Sequence, residues 1–278
     1  MRGRLLKAAG VQFNPEISLK DENVKRCVKM IEEAAENEAR LIVFPECAIT
    51  GYAFDSRAEV ELYAESIPGP LTGTVTSPCR KLNVFVILGL VEQVGRQLFN
   101  VAVFIGPDGL IGKYRKIHLP YQGLDRFVDH GDEPFKVYRT DLGSIGVNIC
   151  YDSFFPESSR VLSLMGAELV ALPTNWAQGV QFYSDHLIQT RALENHVNYI
   201  AVNRIGAEKG FTFYGRSKII DYAGKVLAEA SSGKEEIIYA DIDLPAARNK
   251  RVVRIPGEWE VDLNRDRRPS FYHLIAEE

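Results

Sequence analysis

The stretch Leu41-Ile42-Val43-Phe44-Pro45-Glu46-Cys47 decides the architecture. Four apolar residues run without interruption and stop at a proline, the pattern of a short strand buried on both faces. Upstream, residues 5–13 read as another strand. Between the two, residues 21–40 carry Val24, Cys27 (or Val28), Ile31 and Ala34 (or Ala35) at helical spacing. Strand, helix and strand thus follow one another from the start.

The alternation continues. A helix is expected after Pro70 and a buried strand over residues 84–88. Residues 98–105 and 110–117 flank Gly106-Pro107-Asp108-Gly109, a hairpin signal whose Pro and Gly suit a tight turn. In the second half, strands are expected over residues 144–149, 169–172 and 199–202, and helices over 157–165 and 184–196. A second hairpin turns at Asp221-Tyr222-Ala223-Gly224, and residues 236–242 close the core. Helices alternating with strands, with hairpins added, predict an α/β fold with mixed sheets. No Ser/Gly-rich linker, charge run or short-period repeat divides the chain, so residues 1–278 are expected to form a single domain.

At 278 residues, 46% hydrophobic and 25% charged, the chain has the composition of a soluble globular protein with room for a large core. A formal net charge of −4 gives no reason to expect nucleic acid or an anionic membrane as partner. Arg265-Asp266-Arg267-Arg268 is interrupted by acid and abuts Pro269, as in a solvated or interface tail. The N-terminal residues 1–8 hold only a very short apolar stretch, unlike a signal peptide, and no apolar run is long enough to span a bilayer. Four widely spaced cysteines in a chain of this size suggest a reducing, cytoplasmic location that would keep a thiol nucleophile alive.

Three residues sit where apolar runs give way to turns: Glu46, Lys116 in Lys113-Tyr114-Arg115-Lys116-Ile117-His118-Leu119, and Cys150 in Val147-Asn148-Ile149-Cys150-Tyr151-Asp152. Singly, each has a plainer reading. A free cysteine at a strand end is more often a packing residue, and Cys27, Cys47 and Cys79 are read that way. A lone glutamate can cap a turn, and a lone lysine is usually a solvated charge. His118, like His130, His186, His196 and His273, has no partner at metal-ligand spacing, so no metal site is expected. Together, however, carboxylate, ammonium and thiol are sufficient for attack on a carbonyl carbon. The carboxylate takes the thiol proton, the thiolate attacks, and the ammonium stabilises the oxyanion. The strand-to-helix turn after Cys150 favours thiolate through the helix N-terminus, and the Tyr151 N–H offers a second oxyanion donor.

Phe44-Pro45-Glu46, then Tyr114-Arg115-Lys116-Ile117-His118-Leu119, then Ile149-Cys150-Tyr151-Asp152 with Phe155-Pro156-Glu157 resemble the three signatures of the nitrilase superfamily of carbon–nitrogen hydrolases, in its amidase- and carbamoylase-like branch. Thr50-Gly51-Tyr52, Arg191-Ala192-Leu193-Glu194-Asn195 and Asp266-Arg267-Arg268-Pro269 are similar too, and the likeness runs in order from Leu5 to about Tyr272. The resemblance implies a four-layer α-β-β-α sandwich of two mixed sheets. It also implies a Glu46-Lys116-Cys150 catalytic set, no metal, no organic cofactor, and pairing into homodimers or larger homo-oligomers through helices beside the active site. One departure stands out. Many members carry a second Glu shortly after the lysine signature, whereas here the first acid is Asp125. Its side chain is one methylene shorter, so the backbone must approach more closely if Asp125 fills that place.

The expected activity is hydrolysis of a small linear amide to ammonia and a carboxylic acid through a thioester on Cys150. Tyr52, Asp125, Asn175 and Trp176 are expected to bind or position substrate. Positions 153–155 are Ser-Phe-Phe, with no arginine to grip an α-carboxylate, and Phe154, Phe155, Trp176 and Tyr52 suggest an aromatic-lined pocket. An N-carbamoyl amine ranks second as substrate and a true nitrile third. A catalytically silent module of the same fold is the rival from another class; an acyltransferase is the nearer one.

Overall fold

In the computed structural model, which describes residues 5–277, the opening elements are β1 (Leu6–Gln12), α1 (Lys20–Glu36) and β2 (Leu41–Val43). Residues 1–4, part of the N-terminus read as lacking a leader, and residue 278 lie outside the described residues. Then follow α2 (Arg57–Glu61), α3 (Pro70–Leu82), β3 (Phe85–Val94), β4 (Gln97–Gly106), β5 (Gly109–Arg115), β6 (Val137–Thr140), β7 (Gly143–Val147), α4 (Pro156–Leu164) and β8 (Leu169–Thr174). The chain finishes with α5 (Ile188–Asn195), β9 (Asn198–Asn203), β10 (Ile205–Glu208), β11 (Phe211–Tyr214), β12 (Lys218–Ile220), β13 (Val226–Glu229), β14 (Glu236–Ile242), α6 (Leu244–Arg248), β15 (Arg251–Ile255) and β16 (Trp259–Asp262).

Two six-stranded sheets form, ordered β14-β1-β2-β3-β4-β5 and β13-β12-β9-β8-β7-β6. Each has a parallel centre, β1-β2-β3 or β7-β8-β9, extended by antiparallel strands. The period of two along each strand explains the layering. Leu6, Ala8, Leu41, Val43, Phe85 and Ile87 join Ile145, Val147 and Leu169 in the core between the sheets. Their neighbours Ala9, Val11, Ile42, Phe44, Val86 and Leu88 pack with Ile31 of α1 and Val75 of α3 on the opposite face. Leu162 of α4, with Ile188 and Ala192 of α5, covers the second sheet. Both sheets are therefore buried on two faces, which is why their central strands read as unbroken apolar runs. The expected α-β-β-α sandwich of two mixed sheets is what the chain forms.

Local departures have local causes. α1 stops at Glu36 rather than reaching Arg40, because Glu38 turns left-handed at φ +65° and the Arg40 N–H already donates to Lys7 O at 2.8 Å. β3 outruns its expected end and returns into β4 through a turn at Gly95 (φ +58°), a hairpin the residue pattern did not announce. The helix expected over residues 184–196 begins as a wide π-turn, Tyr183–Leu187, before α5. The ribbons β10–β11 and β15–β16 were not anticipated either.

β5 runs antiparallel to β4, which runs antiparallel to β3. Two reversals restore direction, so the C-terminal ends of β2 and β5 lie at one end of the first sheet. Glu46 and Lys116 follow those ends.

Candidate active site

Glu46 is held at the end of β2 by backbone continuity with β3. The Phe44 N–H donates to Ile87 O at 2.8 Å, and the Gly89 N–H donates to Pro45 O at 3.2 Å. Gly89 is obligatory here: a Cβ would stand 2.3 Å from Cys47 N and 2.7 Å from Glu46 Cα. Lys116 extends β5 by one bond, its N–H donating to Asn100 O at 2.9 Å. Asp125 sits in a 3-10 turn, Gly123–Arg126, tied to Tyr52 by the Leu124 N–H donating to Tyr52 O at 2.7 Å. A Cβ on Gly123 would meet the Tyr52 ring at 2.3 Å, so only glycine lets this turn come so close.

These elements bring three charges into one buried cluster. Lys116 Nζ lies 2.8 Å from Glu46 Oε1 and 2.6 Å from Asp125 Oδ2. Asn100 Nδ2 donates to the same two carboxylates, at 2.7 Å to Glu46 Oε1 and 2.9 Å to Asp125 Oδ1. The Tyr52 hydroxyl completes the ring by donating to Asp125 Oδ2 at 2.9 Å. Asn100 was missed from sequence, although one signal was there: a lone amide inside the apolar strand Leu98-Phe99-Asn100-Val101-Ala102.

Burial alone would strip the Lys116 proton, but Asp125 and Glu46 outweigh it and hold its pKa well above the ordinary lysine value. Burial also raises Glu46 above the ordinary carboxylate value; Lys116 opposes this and Asp125 adds to it. Oε2 of Glu46 is buried with no hydrogen-bond partner among the described residues, an acceptor ready for a proton.

Cys150 follows β7 and opens a 3-10 turn, Cys150–Phe154, at φ +44°, strained for a residue with a side chain. Asp152 enforces that conformation: it accepts from the Ile149 N–H at 2.8 Å and from the Tyr114 hydroxyl at 2.8 Å, and meets His118 Nδ1 at 2.7 Å. His118 also stacks on Phe155 at 3.9 Å, so the lysine segment and the cysteine turn are clamped together. Arg191 donates to the carbonyls of Ser153 and Phe154, at 3.0 and 3.2 Å, which fixes the far side of the turn.

The expectation that the turn stabilises a standing thiolate is not met. Burial, and after it the negative charge of Glu46, pushes the thiol well above the usual cysteine value. The Lys116 ammonium pulls the other way without restoring it. The helix proper, α4, starts only at Pro156, beyond the 3-10 turn. Burial and the Glu46 charge thus favour the neutral thiol over the thiolate.

Cys150 opens into a cleft of about 240 Å³ whose walls include Tyr52, Tyr151, Asn175 and Trp176, all named from sequence. Phe154, Gln122, Val180 and Phe211 also line it, and none of its lining residues among those described is charged. Glu46, Lys116 and Asp125 are themselves buried. Tyr151 is the second residue of the 3-10 turn, where backbone N–H groups lack partners within the helix. Distant residues hold these walls. Glu208 accepts from the N–H groups of Tyr52 and Ala53 at 2.9 and 3.0 Å while pairing with buried Arg204. Asn203 grips the Trp176 backbone, accepting from its N–H at 2.8 Å and donating to its carbonyl at 3.1 Å. Among the described residues, no cluster of three or more His, Cys, Asp or Glu could hold a metal ion.

Comparison with known proteins agrees with this arrangement. Residues 7–252 match the carbon-nitrogen hydrolase family. A nitrilase of Pyrococcus abyssi is 41% identical over 96% of this chain and 99% of its own length. An omega-amidase of Xenopus tropicalis is 33% identical over 92% of this chain and 93% of its own. The crystal structure of a carbon–nitrogen hydrolase from Helicobacter pylori superposes with a TM-score of 0.86 at 25% identity, covering 99% of each chain. The chain belongs to the carbon–nitrogen hydrolase family of the nitrilase superfamily and is an enzyme of that class.

Proposed function

We propose that this carbon–nitrogen hydrolase cleaves a small, uncharged linear amide through a thioester on Cys150. The observation that carries the proposal is the buried Glu46–Lys116 pair, 2.8 Å apart, within electrostatic reach of the thiol that opens into the cleft. Glu46 Oε2 takes the thiol proton as sulfur attacks the carbonyl carbon. Its raised pKa narrows the gap to the thiol and so eases the transfer. Lys116 and the Tyr151 N–H stabilise the tetrahedral oxyanion. Glu46 returns the proton to the leaving nitrogen, the C–N bond breaks, and ammonia departs. Water, deprotonated by Glu46, then attacks the thioester, and the carboxylic acid and the free thiol are released.

Asp125, held by Lys116, Asn100 and Tyr52, takes the positioning role of the second acid. The absence of charge from the cleft walls supports a neutral substrate, with an N-carbamoyl amine second. A nitrile is a further reading, favoured by the name of the 41% identical relative. The intact buried cluster argues against a silent module, since binding alone gives no reason to bury two carboxylates around a lysine.

Rapid quench of a turned-over amide followed by intact-protein mass spectrometry should show one acyl adduct mapping to Cys150, and Cys150→Ala should release no ammonia. An adduct on Cys47 instead would sink the assignment. Hydroxamate formation on adding hydroxylamine would reveal acyltransfer competence.

Copies of the chain are further proposed to pair through the face that follows the cysteine turn. Val161 and Leu164 of α4, Met165 just beyond it and Leu193 of α5 are exposed there, an apolar surface that a partner would cover. Sedimentation should give a dimer or larger species. Among the described residues no helix is long and apolar enough to cross a membrane; a reducing cytoplasm is proposed as the compartment that keeps Cys150 as a thiol.

A further inference from the structure

We infer that Glu208, which does not line the cleft, is a positioning residue of the reaction: it seats Tyr52, and through Tyr52 it sets Asp125 and the Lys116 ammonium. The inference rests on the hydrolase reading above and adds to it a residue acting from outside the cluster. Glu208 ends β10, and its side chain is only 3% exposed. Oε2 accepts from two successive backbone donors, the N–H groups of Tyr52 at 2.9 Å and Ala53 at 3.0 Å. Oε1 takes the Arg204 guanidinium at 2.5 Å. Beyond its N–H, Tyr52 has two further anchors, both on the turn that carries Asp125. Its carbonyl accepts from the Leu124 N–H at 2.7 Å, and its hydroxyl donates to Asp125 Oδ2 at 2.9 Å. That same Oδ2 accepts from Lys116 at 2.6 Å.

Fold stability is a weak reason for this arrangement. Taking a carboxylate and a guanidinium out of water is expensive, and apolar residues of the same volume often match or better a buried ion pair. What the pair supplies is geometry. A carboxylate oxygen can take two adjacent N–H groups, and the backbone is shaped to offer them. Gly51 is left-handed at φ +76°, and a Cβ there would stand 2.9 Å from Glu208 Oε1. Arg204 has its own seat, donating to Asn14 Oδ1 and Pro15 O at 2.8 Å each, so it holds the carboxylate from a fixed point. The ribbon ties this grip to the cleft. Glu208 stands opposite Phe211 in the β10–β11 register, and Phe211 lines the cleft and packs edge-on against the Tyr52 ring at 6.4 Å. Because Arg204 sits against Glu208, the two charges cancel at a distance, and the influence on Lys116 runs through the placement of Tyr52.

A double-variant cycle of Glu208→Gln and Tyr52→Phe on one turned-over amide tests the inference, with kcat corrected for the folded fraction. Glu208→Gln should lower kcat by about 10²-fold, the cost of a misplaced catalytic group, and change KM by less than about threefold. Tyr52→Phe, which loses only the bond to Asp125, should lower kcat about tenfold. Acting along one chain, the two together should fall no further than about 10²-fold, whereas independent effects would multiply to about 10³-fold. Should Glu208→Gln not fold, the pair Arg204→Met with Glu208→Met removes both charges at once, the change that buried ion pairs tolerate best, and the same loss of kcat is expected of it. Tyr52→Phe alters no charge and tests the link to Asp125 by itself. Full kcat in folded Tyr52→Phe, a lowered melting temperature with normal kcat in either Glu208 variant, or losses that multiply would overturn the inference and leave the thioester mechanism standing. Absence of Cys150-dependent ammonia from wild type on every amide tried would remove the hydrolase reading itself.

Discussion

The Lys116 ammonium donates to the Asp125 carboxylate at 2.6 Å, with neither side chain exposed to solvent. A surface ion pair between Asp125 and adjacent Arg126 is therefore not what the fold builds. Arg126 turns away and donates to the carbonyls of Phe54 and Gly123, at 3.2 and 3.5 Å. Asp125 is part of the buried lysine cluster, and its shorter side chain is accommodated because Gly123 lets the loop pack directly on Tyr52.

Asp125→Asn removes a charge from that cluster and should lower kcat/KM by about 10²-fold through misplacement of Lys116 and substrate. Asp125→Glu restores the longer acid common in the superfamily and should keep part of the activity. Steady-state kinetics of both folded variants decide the matter; full activity in Asp125→Asn would remove the residue from the site.

Lys116→Met should reduce kcat by about 10²–10³-fold, the usual worth of an oxyanion donor. It should also destabilise the fold, since two buried carboxylates lose their counter-ion, a defect of about 3–5 kcal/mol. In the variant Glu46, already raised by burial, would lose the cation that opposes this and stand further above its unfolded-chain value. Stability of the variant should then rise as pH falls and be lost as pH rises through the folded-state Glu46 value. Urea unfolding from pH 5 to 8 checks the sign, and a near-normal kcat would exclude Lys116 from the mechanism.

The pH profile reports on Glu46. It must be unprotonated to take the thiol proton, and burial raises its pKa. The acid limb of kcat/KM should consequently lie above the free carboxylate value of about 4.3. Asn100→Asp would place a third carboxylate against Glu46 and move that limb to higher pH, while Asn100→Ala should cost activity without an equal shift in the same direction. An acid limb unmoved in Asn100→Asp would mean that Asn100 does not act through Glu46.

Gly89 and Gly73 should respond in opposite senses to alanine. At Gly89 the new Cβ meets the Cys47 backbone at 2.3 Å, and the fold should lose about 1–3 kcal/mol or more, with activity falling as Glu46 shifts. At Gly73, inside α3, nothing lies within 4 Å, and alanine should stabilise by about 0.5–1 kcal/mol. Thermal melts of the two variants are the measurement.

How much of this was legible follows from the range over which each signal acts. Glu46 and Cys150 could be singled out because each follows an apolar run, a contiguous feature, and Lys116 because it closes a strand inside the motif Tyr114-Arg115-Lys116-Ile117-His118-Leu119. The α/β pattern with buried central strands was legible for the same reason, since unbroken runs such as residues 41–44 report burial on both faces, while the layer order came with the resemblance to the family. Element ends were less visible: the stop of α1 depends on a left-handed Glu38, which an ordinary glutamate does not announce.

The sequence by itself determined an α/β fold with mixed sheets, through local periodicity, and the family, through motifs read along the chain, and it was the resemblance to that family that implied the sandwich. Only the tertiary structure decided which residues share the buried cluster. Asn100 reaches Glu46 across 54 positions and Asp125 across 25, and Glu208 fixes Tyr52 from 156 positions away. The balance between thiol and thiolate at Cys150 is also set there. A helix N-terminus read from sequence argues for thiolate, but burial and the Glu46 charge, set by packing between two sheets, outweigh it. Desolvation and through-space charge depend on what surrounds a group on every side, and sequence lists only what precedes and follows it.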